Sequence, residues 1–389
     1  MNAPFRHIAI LSACAHRLYL YRPELFDALH RAGFSVTVFG PENLEEGQAG
    51  LGPAGIEYRE LGLARRGIDP FAERRALDLI VRLGREQGFG VIYSYGIRFA
   101  PLANNAARAL GVPCMNVING AGSLFITGGP VGTLRRLLIF PYIRTSLRYA
   151  SRVVFQNEDD RGEFLRRRLV KDTQCILVPG SGVNLERFPV YDLPEQPVFG
   201  FCSRLNPEKG IYELLRAFEQ VVSVCPEARL RLAGELDGIE KTETYALLRR
   251  LCEAGSAEYL GEISDVPSFL RTVRCFVFPS YREGTPRAVL EAMSCGRPVI
   301  TTDVTGCRET VKNGYNGILV PAREVIPLRD AMLRFCRGEA DADGMGKASR
   351  RYAEEHFDVH AVNRVLTGQI QKLYRPTAAA GRQEIDGGR

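Results

Sequence analysis

The sequence predicts an α/β protein of two domains, each a parallel β-sheet covered by helices on both faces. Three observations carry this. Short apolar, strand-like runs alternate with amphipathic helical patterns along nearly the whole chain, the signature of βαβ units. The alternation comes as two separate series, and the segment 185–197 between them holds three prolines in thirteen residues, as a linker would. At 389 residues the chain also exceeds what one core usually accommodates.

In the first series, buried strands are predicted over 8–12, 35–39, 91–94, 114–118, 152–155 and 175–178. Helical periodicity fills 22–32, 71–87, 100–110, 134–149 and 159–168. In the second, strands are predicted over 198–202, 229–233, 258–260, 275–278, 298–301 and 317–320. Helices fit 210–225, 242–254, 266–271, 287–294, 309–311 and 329–338. The first domain is therefore expected over 1–185, the linker over 186–197 and the second domain over 198–357. A last helical pattern, 359–373, precedes a polar tail, 376–389, that is expected to lack order.

Composition narrows the class. Apolar residues make up 45 % and charged residues 25 %, ordinary for a soluble globular protein. Ten cysteines occur without a C-x-x-C pair, which argues against a zinc site or a secreted disulfide framework and for reduced thiols in the cytosol. No run approaches the ~18–20 apolar residues that span a bilayer. Arg6 followed by Ile8 to Ala15 imitates a short signal peptide, but the same residues make a buried first strand. The net charge is +6, and ten basic against four acidic residues between Leu134 and Lys171 supply all of it. Interleaved with Leu137, Leu138, Ile139, Phe140, Tyr142, Ile143 and Leu147, that segment suits an anionic membrane face. The plain alternative is an amphipathic helix packed in its own domain. No nucleic-acid partner is expected.

The most informative stretch runs from Phe278 to Pro298: a buried strand, a tight Gly-Pro turn, then a helix. Pro286 suits a first helical position, so backbone from Gly284 through Thr285 and Arg287 is placed to face a ligand. A helix N-terminus attracts anions, while Glu283 and Glu291 beside it suit hydroxyl groups. A ligand that is both sugar and phosphate, a nucleotide sugar, answers both demands; a capped surface helix with two solvated glutamates is the plain alternative. After the first strand of the second series, Ser203-Arg204 and Lys209-Gly210 put two cations at the C-terminal edge of a parallel sheet, where α/β folds bind ligands. Arg204 offers bidentate contacts to a diphosphate and Lys209 a mobile point charge. Neither domain opens with G-x-G-x-x-G, which argues against an NAD-dependent oxidoreductase.

These motifs resemble retaining glycosyltransferase family 4. Ser203-Arg204-Leu and Lys209-Gly210 are similar to its diphosphate motif. Glu283-Gly-Thr-Pro, Glu291-Ala-Met, Pro298-Val-Ile-Thr-Thr and Asn313-Gly-Tyr-Asn-Gly317 are similar to its donor-site signature. In the first domain, Ser94-Tyr95-Gly-Ile-Arg98, Asn119-Gly120-Ala-Gly122, Phe155-Gln156-Asn157 and Pro179-Gly-Ser181-Gly182 resemble enzymes that extend undecaprenyl-diphosphate-linked sugars. The chain departs from the family where Ala13 to Leu18 replaces a Gly-Gly loop, where Tyr95 stands near the place of a histidine, and where Gly120-Ala-Gly122 replaces Gly-Leu-Gly.

The resemblance implies the GT-B architecture: two Rossmann-like doubly wound domains facing across a cleft, with a helix over 358–375 crossing back to the first. It implies a hexosyltransferase that needs no cofactor or metal and uses a nucleotide-sugar donor, UDP-linked in most of the family. Arg204 and Lys209 would stabilise the leaving diphosphate and Glu283 would hold donor-sugar hydroxyls. Glu291 would take the ribose hydroxyls, with Gly284, Thr285, Pro286 and Arg287 along the donor and Ile263 in a segment that reads the uracil edge. Tyr95, Arg98, Asn119, Gly120, Gly122 and His16 fall on the acceptor side. The implied acceptor is a polyprenyl-diphosphate-linked saccharide, and the enzyme would work peripherally on the cytoplasmic face of an anionic inner membrane. A sugar-nucleotide epimerase and a non-catalytic sugar-nucleotide sensor are the rival readings. Asp341-Ala-Asp343 and the pair His356 and His360 carry metal-binding spellings, but the first reads as a solvated turn between helices and the second as surface.

Overall fold

The computed structural model describes residues 6–64, 69–120 and 139–376. The chain divides into two compact units, Met1–Val178 with His360–Arg389, and Pro179–Val359.

The first unit is built on seven strands: β1 (Arg6–Ser12), β2 (Phe34–Gly40), β3 (Glu57–Glu60), β4 (Phe89–Tyr95), β5 (Cys114–Ile118), β6 (Arg152–Phe155) and β7 (Cys175–Leu177). They are ordered β3-β2-β1-β4-β5-β6-β7, and every pairing is parallel. The central strands are apolar along their whole length, as strands covered on both faces must be; β5, Cys-Met-Asn-Val-Ile, is buried throughout. One layer packs Ile8, Ile10, Val91 and Tyr93 against Val362, Leu366 and Ile370 of the Val359–Leu373 helix. The other packs Ala9, Leu11 and Ile92 against Ile80, Leu102 and Ala106 of the Pro70–Gln87 and Ala100–Leu110 helices.

Among the elements of this unit that escape the sequence reading, β3 and the Leu44–Leu51 helix show why. β3 is an edge strand spelled Glu-Tyr-Arg-Glu in which only Tyr58 is buried, so it shows no apolar run. The Leu44–Leu51 helix is short and carries two glycines; Asn43 caps it by accepting from the Glu46 amide at 2.8 Å.

The second unit carries β8 (Val198–Cys202), β9 (Arg229–Ala233), β10 (Ala257–Tyr259), β11 (Cys275–Phe278), β12 (Val299–Thr302) and β13 (Gly317–Val320). Their order is β10-β9-β8-β11-β12-β13, again all parallel. Both sheets are thus doubly wound. The strand order reverses at β1/β4 in one and at β8/β11 in the other, and the crevice beyond the C-terminal ends at such a reversal is where these folds bind ligands.

Two expectations are corrected here. Residues 309–311 form turns rather than a helix. Asp341 and Asp343 do not lie in a turn between helices: Asp341 caps the helix Ala342–His356, accepting from the Gly344 amide at 2.9 Å, and Asp343 lies in its first turn. That helix buries small residues such as Ala348 and Ala353, which gave it no apolar stripe to read. His356 ends it and His360 belongs to the next helix, so the two histidines do not share the helical face that their spacing suggested. Among the described residues no helix is long and apolar enough to cross a membrane.

Candidate active site

In the second unit the loops after β8 and β11 meet at the strand-order reversal. After β8 the chain makes one tight turn, Pro207–Lys209, capped by Asn206, whose side-chain oxygen accepts from the Lys209 amide at 3.1 Å. Gly210 then opens the Ile211–Val224 helix at φ +69°, and a Cβ there would stand 2.1 Å from the Pro279 carbonyl oxygen. Only glycine permits that approach between the two loops. The result is that the Lys209 Nζ forms an ion pair with the Glu283 carboxylate and lies 5.5 Å from the centre of the Phe278 ring. Ser280 Oγ donates to the same carboxylate oxygen at 2.6 Å. The Lys209 and Glu283 side chains are only 17 % and 14 % exposed, so salt screens this pair weakly.

Glu283 is held from behind as well. Its amide donates to the Thr305 carbonyl at 3.0 Å. Gly306, at φ +83°, lies so close that a Cβ would be 2.4 Å from the Glu283 carbonyl oxygen. Gly284, Thr285 and Pro286 are buried, and Thr285 packs where Gly180 leaves room. The helix Arg287–Ser294 has the bounds expected of it, but Pro286 is the residue before it rather than its first helical residue, and no side chain caps its N-terminus. One turn in, Glu291 is 6 % exposed and accepts from Arg287 Nε at 2.7 Å. Burial pushes its pKa above the ordinary carboxylate value, and Arg287 works against that rise. The neighbouring Cys202 thiol is pushed up to about 12 by burial, with the Glu291 charge adding to it.

Arg204 takes a different partner. Its guanidinium donates to Asp237 Oδ2 at 2.6 Å, and Asn206 Nδ2 donates to the same oxygen at 3.0 Å. Asp237 carries no motif, and it reaches Arg204 because β9 lies beside β8 in the sheet. A diphosphate at Arg204 would compete with this carboxylate. Ile263 is half-buried against the second unit's core; Asp265, just beyond it, caps the Val266–Arg271 helix.

In the first unit, His16 follows β1, and its Nδ1 lies 2.9 Å from Glu42 Oε1 and 3.9 Å from Cys14 Sγ. These three residues bring possible metal-ligand atoms within 4.8 Å of one another. The Glu42 carboxylate also accepts from the Ala15 amide at 3.1 Å and from the Tyr58 hydroxyl at 3.3 Å, so it already works as the lock of the loop after β1. Tyr95 ends β4 and stacks against the buried Arg22 guanidinium, whose carbon lies 5.7 Å from the ring centre. Arg98 pairs with Glu73 at 2.8 Å. Asn119 and Gly120 follow β5; the Asn119 side-chain oxygen lies beside Gly96, within 3.3 Å of where a Cβ would stand. Gly122 lies outside the described residues.

Comparison with known proteins supplies the family and agrees with the fold. Residues 20–180 match the family model for a glycosyl transferase 4-like domain, and residues 196–337 match that for glycosyl transferases group 1. A Campylobacter jejuni relative, N,N'-diacetylbacillosaminyl-diphospho-undecaprenol alpha-1,3-N-acetylgalactosaminyltransferase, is 26 % identical over 94 % of this chain and 98 % of its own. An Escherichia coli relative, UDP-Gal:alpha-D-GlcNAc-diphosphoundecaprenol alpha-1,3-galactosyltransferase, is 24 % identical over 69 % of this chain and 72 % of its own. Among solved structures, sucrose-phosphate synthase from Thermosynechococcus elongatus has a TM-score of 0.77 at 21 % identity, covering 94 % of this chain and 98 % of that one. Anabaena HepE in complex with UDP-glucose has a TM-score of 0.76 at 18 % identity, covering 94 % and 100 %. With one glycosyltransferase model on each unit and two doubly wound sheets of the GT-B type, the chain belongs to the retaining glycosyltransferase family 4.

Proposed function

We propose that this enzyme transfers a hexose or N-acetylhexosamine from a UDP-sugar to a polyprenyl-diphosphate-linked saccharide, with retention at the anomeric carbon, in the assembly of a bacterial surface polysaccharide or glycan. The observation that carries the reading is the Lys209–Glu283–Ser280 cluster beyond β8 and β11, with buried Glu291 one turn into the helix that follows. The named activities of the Campylobacter and Escherichia relatives support the acceptor class, and HepE with UDP-glucose supports the donor class.

The barrier lies in breaking the bond between the anomeric carbon and a diphosphate oxygen while the sugar ring gains positive charge. Groups already aimed at the developing charge lower it most. Lys209 and Arg204 meet the negative charge that grows on the diphosphate. Glu283 accepts from donor-sugar hydroxyls while its pairing holds Lys209 in place. Glu291, buried and acceptor-only once ionised, takes the ribose hydroxyls. The acceptor hydroxyl forms the new bond on the face that the diphosphate leaves, and the departing phosphate oxygen takes its proton. Donor and acceptor are the two substrates of this reaction.

A polyprenyl carrier stays in the bilayer, so the enzyme docks on the cytoplasmic membrane surface through the first unit, which holds the basic segment 134–171. The decisive assay mixes enzyme and nucleotide sugar with and without a polyprenyl-diphosphate saccharide. Acceptor-dependent release of UDP, with an α-linked product from an α-linked donor, is the expected result. Epimerised donor in the absence of acceptor would overturn the reading in favour of an epimerase. Thermal denaturation against a panel of UDP- and GDP-sugars tests the base: a donor at 100 times its Kd adds about 2.7 kcal/mol. Protection by GDP-sugars alone would refute the UDP assignment.

A further inference from the structure

Between the C-terminal ends of two helical stretches, residues 139–147 and Glu158–Arg166, lies a cavity of about 270 Å³. Its rim carries Arg144, Arg148, Arg168 and Lys171, and no acidic residue lines it. Acids nearby in the chain have other partners: Glu163 pairs with Arg166 and Arg167, Glu158 and Asp172 pair with Arg161, and Asp160 accepts from the Asn157 side chain. Among the described residues, none of the four cations at the cavity has a carboxylate partner. All four are exposed.

Helix ends alone do not account for them. A helix C-terminus carries about half a negative elementary charge, so two such ends offset about one of four positive charges. Part of that offset is already used, because Gln174 Nε2 donates to the carbonyls of Leu147 and Ala150 at the end of the first stretch. Arg168 adds a second argument. It closes the Glu158–Arg166 helix at φ +54°, a conformation that glycine adopts without strain and that a Cβ disfavours. An arginine stands where glycine is the easier residue, and its side chain lines the cavity.

We infer that this cavity binds a phosphate group, presented by an anionic lipid headgroup or free in solution. Guanidinium and ammonium groups together match phosphate oxygens. The volume falls below the ~300–1,000 Å³ of pockets for drug-sized ligands, which suits a headgroup. The surroundings favour the lipid source: Tyr142, Tyr149 and Leu177 are each more than two-fifths exposed on the same segment or on the edge strand β7. Only the lipid source rests on the membrane docking proposed above.

Two double variants of the full chain test the site. Arg168→Gln with Lys171→Gln removes two charges from the cavity. Arg166→Gln with Arg167→Gln removes the same charge from the adjacent turn outside it. Each is measured for sedimentation with phosphatidylcholine vesicles with and without phosphatidylglycerol, near physiological salt, and for stabilisation by inorganic phosphate. Unchanged thermal protection by UDP verifies that both variants fold. For a lipid headgroup, the cavity pair loses at least about ten times more vesicle binding than the control pair. If the wild type ignores vesicles but saturable protection by inorganic phosphate disappears in the cavity pair alone, the source is soluble phosphate: the cavity assignment stands and membrane docking falls. Equal losses in both pairs, or no response of the wild type to either probe, overturn the site.

Discussion

Glu283 and Lys209 stand 74 positions apart in the chain and share one ion pair. Each was legible by itself, because a carboxylate before a Gly-Thr-Pro turn and a lysine after a strand are local patterns. Replacing Lys209 or Arg204 with alanine is expected to lower kcat by about 10²–10³, the scale of losing one donor to a developing oxyanion. Near-normal turnover in both variants, followed by UDP release, would refute their role. Glu291 supplies a pH signature. Burial raises its pKa in the folded protein above that of an ordinary glutamate, so above the ordinary value the fold still holds a proton that the unfolded chain has lost. Its contribution to stability therefore falls as pH rises through the window from the ordinary glutamate value to the raised one. Donor hydroxyls favour the ionised carboxylate, so donor affinity should weaken as pH falls through that same raised value, and binding there should release a proton. Glu291→Gln should flatten both dependences. Calorimetric titrations of UDP-sugar in buffers of different ionisation enthalpy read them, and an unchanged pH slope in the glutamine variant would count against the assignment.

At the scale of elements, the Val359–Leu373 helix joins the first unit through an apolar layer and one buried cation. Arg22 is 2 % exposed and donates to the Asn363 side-chain oxygen at 3.1 Å and, at 3.5 Å, to the Tyr95 hydroxyl. No pattern in the sequence singles out Arg22, since its partners lie 341 and 73 positions away. Asn363→Leu would leave a buried guanidinium N–H without its acceptor, at a cost of about 1–3 kcal/mol. The expected outcome is a lower denaturation midpoint with donor protection retained, because the proposed donor residues belong to the other unit. A midpoint equal to wild type would mean that water replaces the amide. The polar chain Ser94–Asn116–Asn104–Ser146 is a second case: three hydrogen bonds of 2.7 to 3.0 Å join β4 and β5 to two helices. Its members read as unremarkable polar residues until the fold brings them together.

For the whole molecule, the placement of the net charge bears on the membrane docking proposed above. The +6 excess lies within residues 134–171, inside the first unit, while the donor candidates lie in the second. Attraction of exposed charges to anionic lipid is screened over about 8–10 Å at 0.1–0.15 M salt. The protein should therefore sediment with phosphatidylglycerol vesicles at low salt and release at high salt. Arg135, Arg136, Arg144 and Arg148 replaced together by glutamine should weaken this and leave UDP-sugar binding intact. Indifference to anionic vesicles at low salt would make a soluble acceptor the better reading.

Most of the architecture was legible because strands buried on both faces are spelled as continuous apolar runs between turn residues. β5, β6, β8, β9, β11 and β13 occupy the residues that their composition predicted. The two-unit plan followed from the two separate series of strands and helices, although the units divide at Val178/Pro179 and the proline-rich segment read as a linker belongs to the second unit. The donor motif followed from glycines that only a tight turn requires. What stayed hidden was held by single contacts at a distance. β3 depends on the burial of Tyr58, the Leu44–Leu51 and Ala342–His356 helices on the caps Asn43 and Asp341, and Arg204's partner Asp237 on which strand lies beside β8. Hydrophobic periodicity is a local property and survives in one dimension. Partner choice is set by strand order and by the close approach of loops, and these exist only once both sheets have formed.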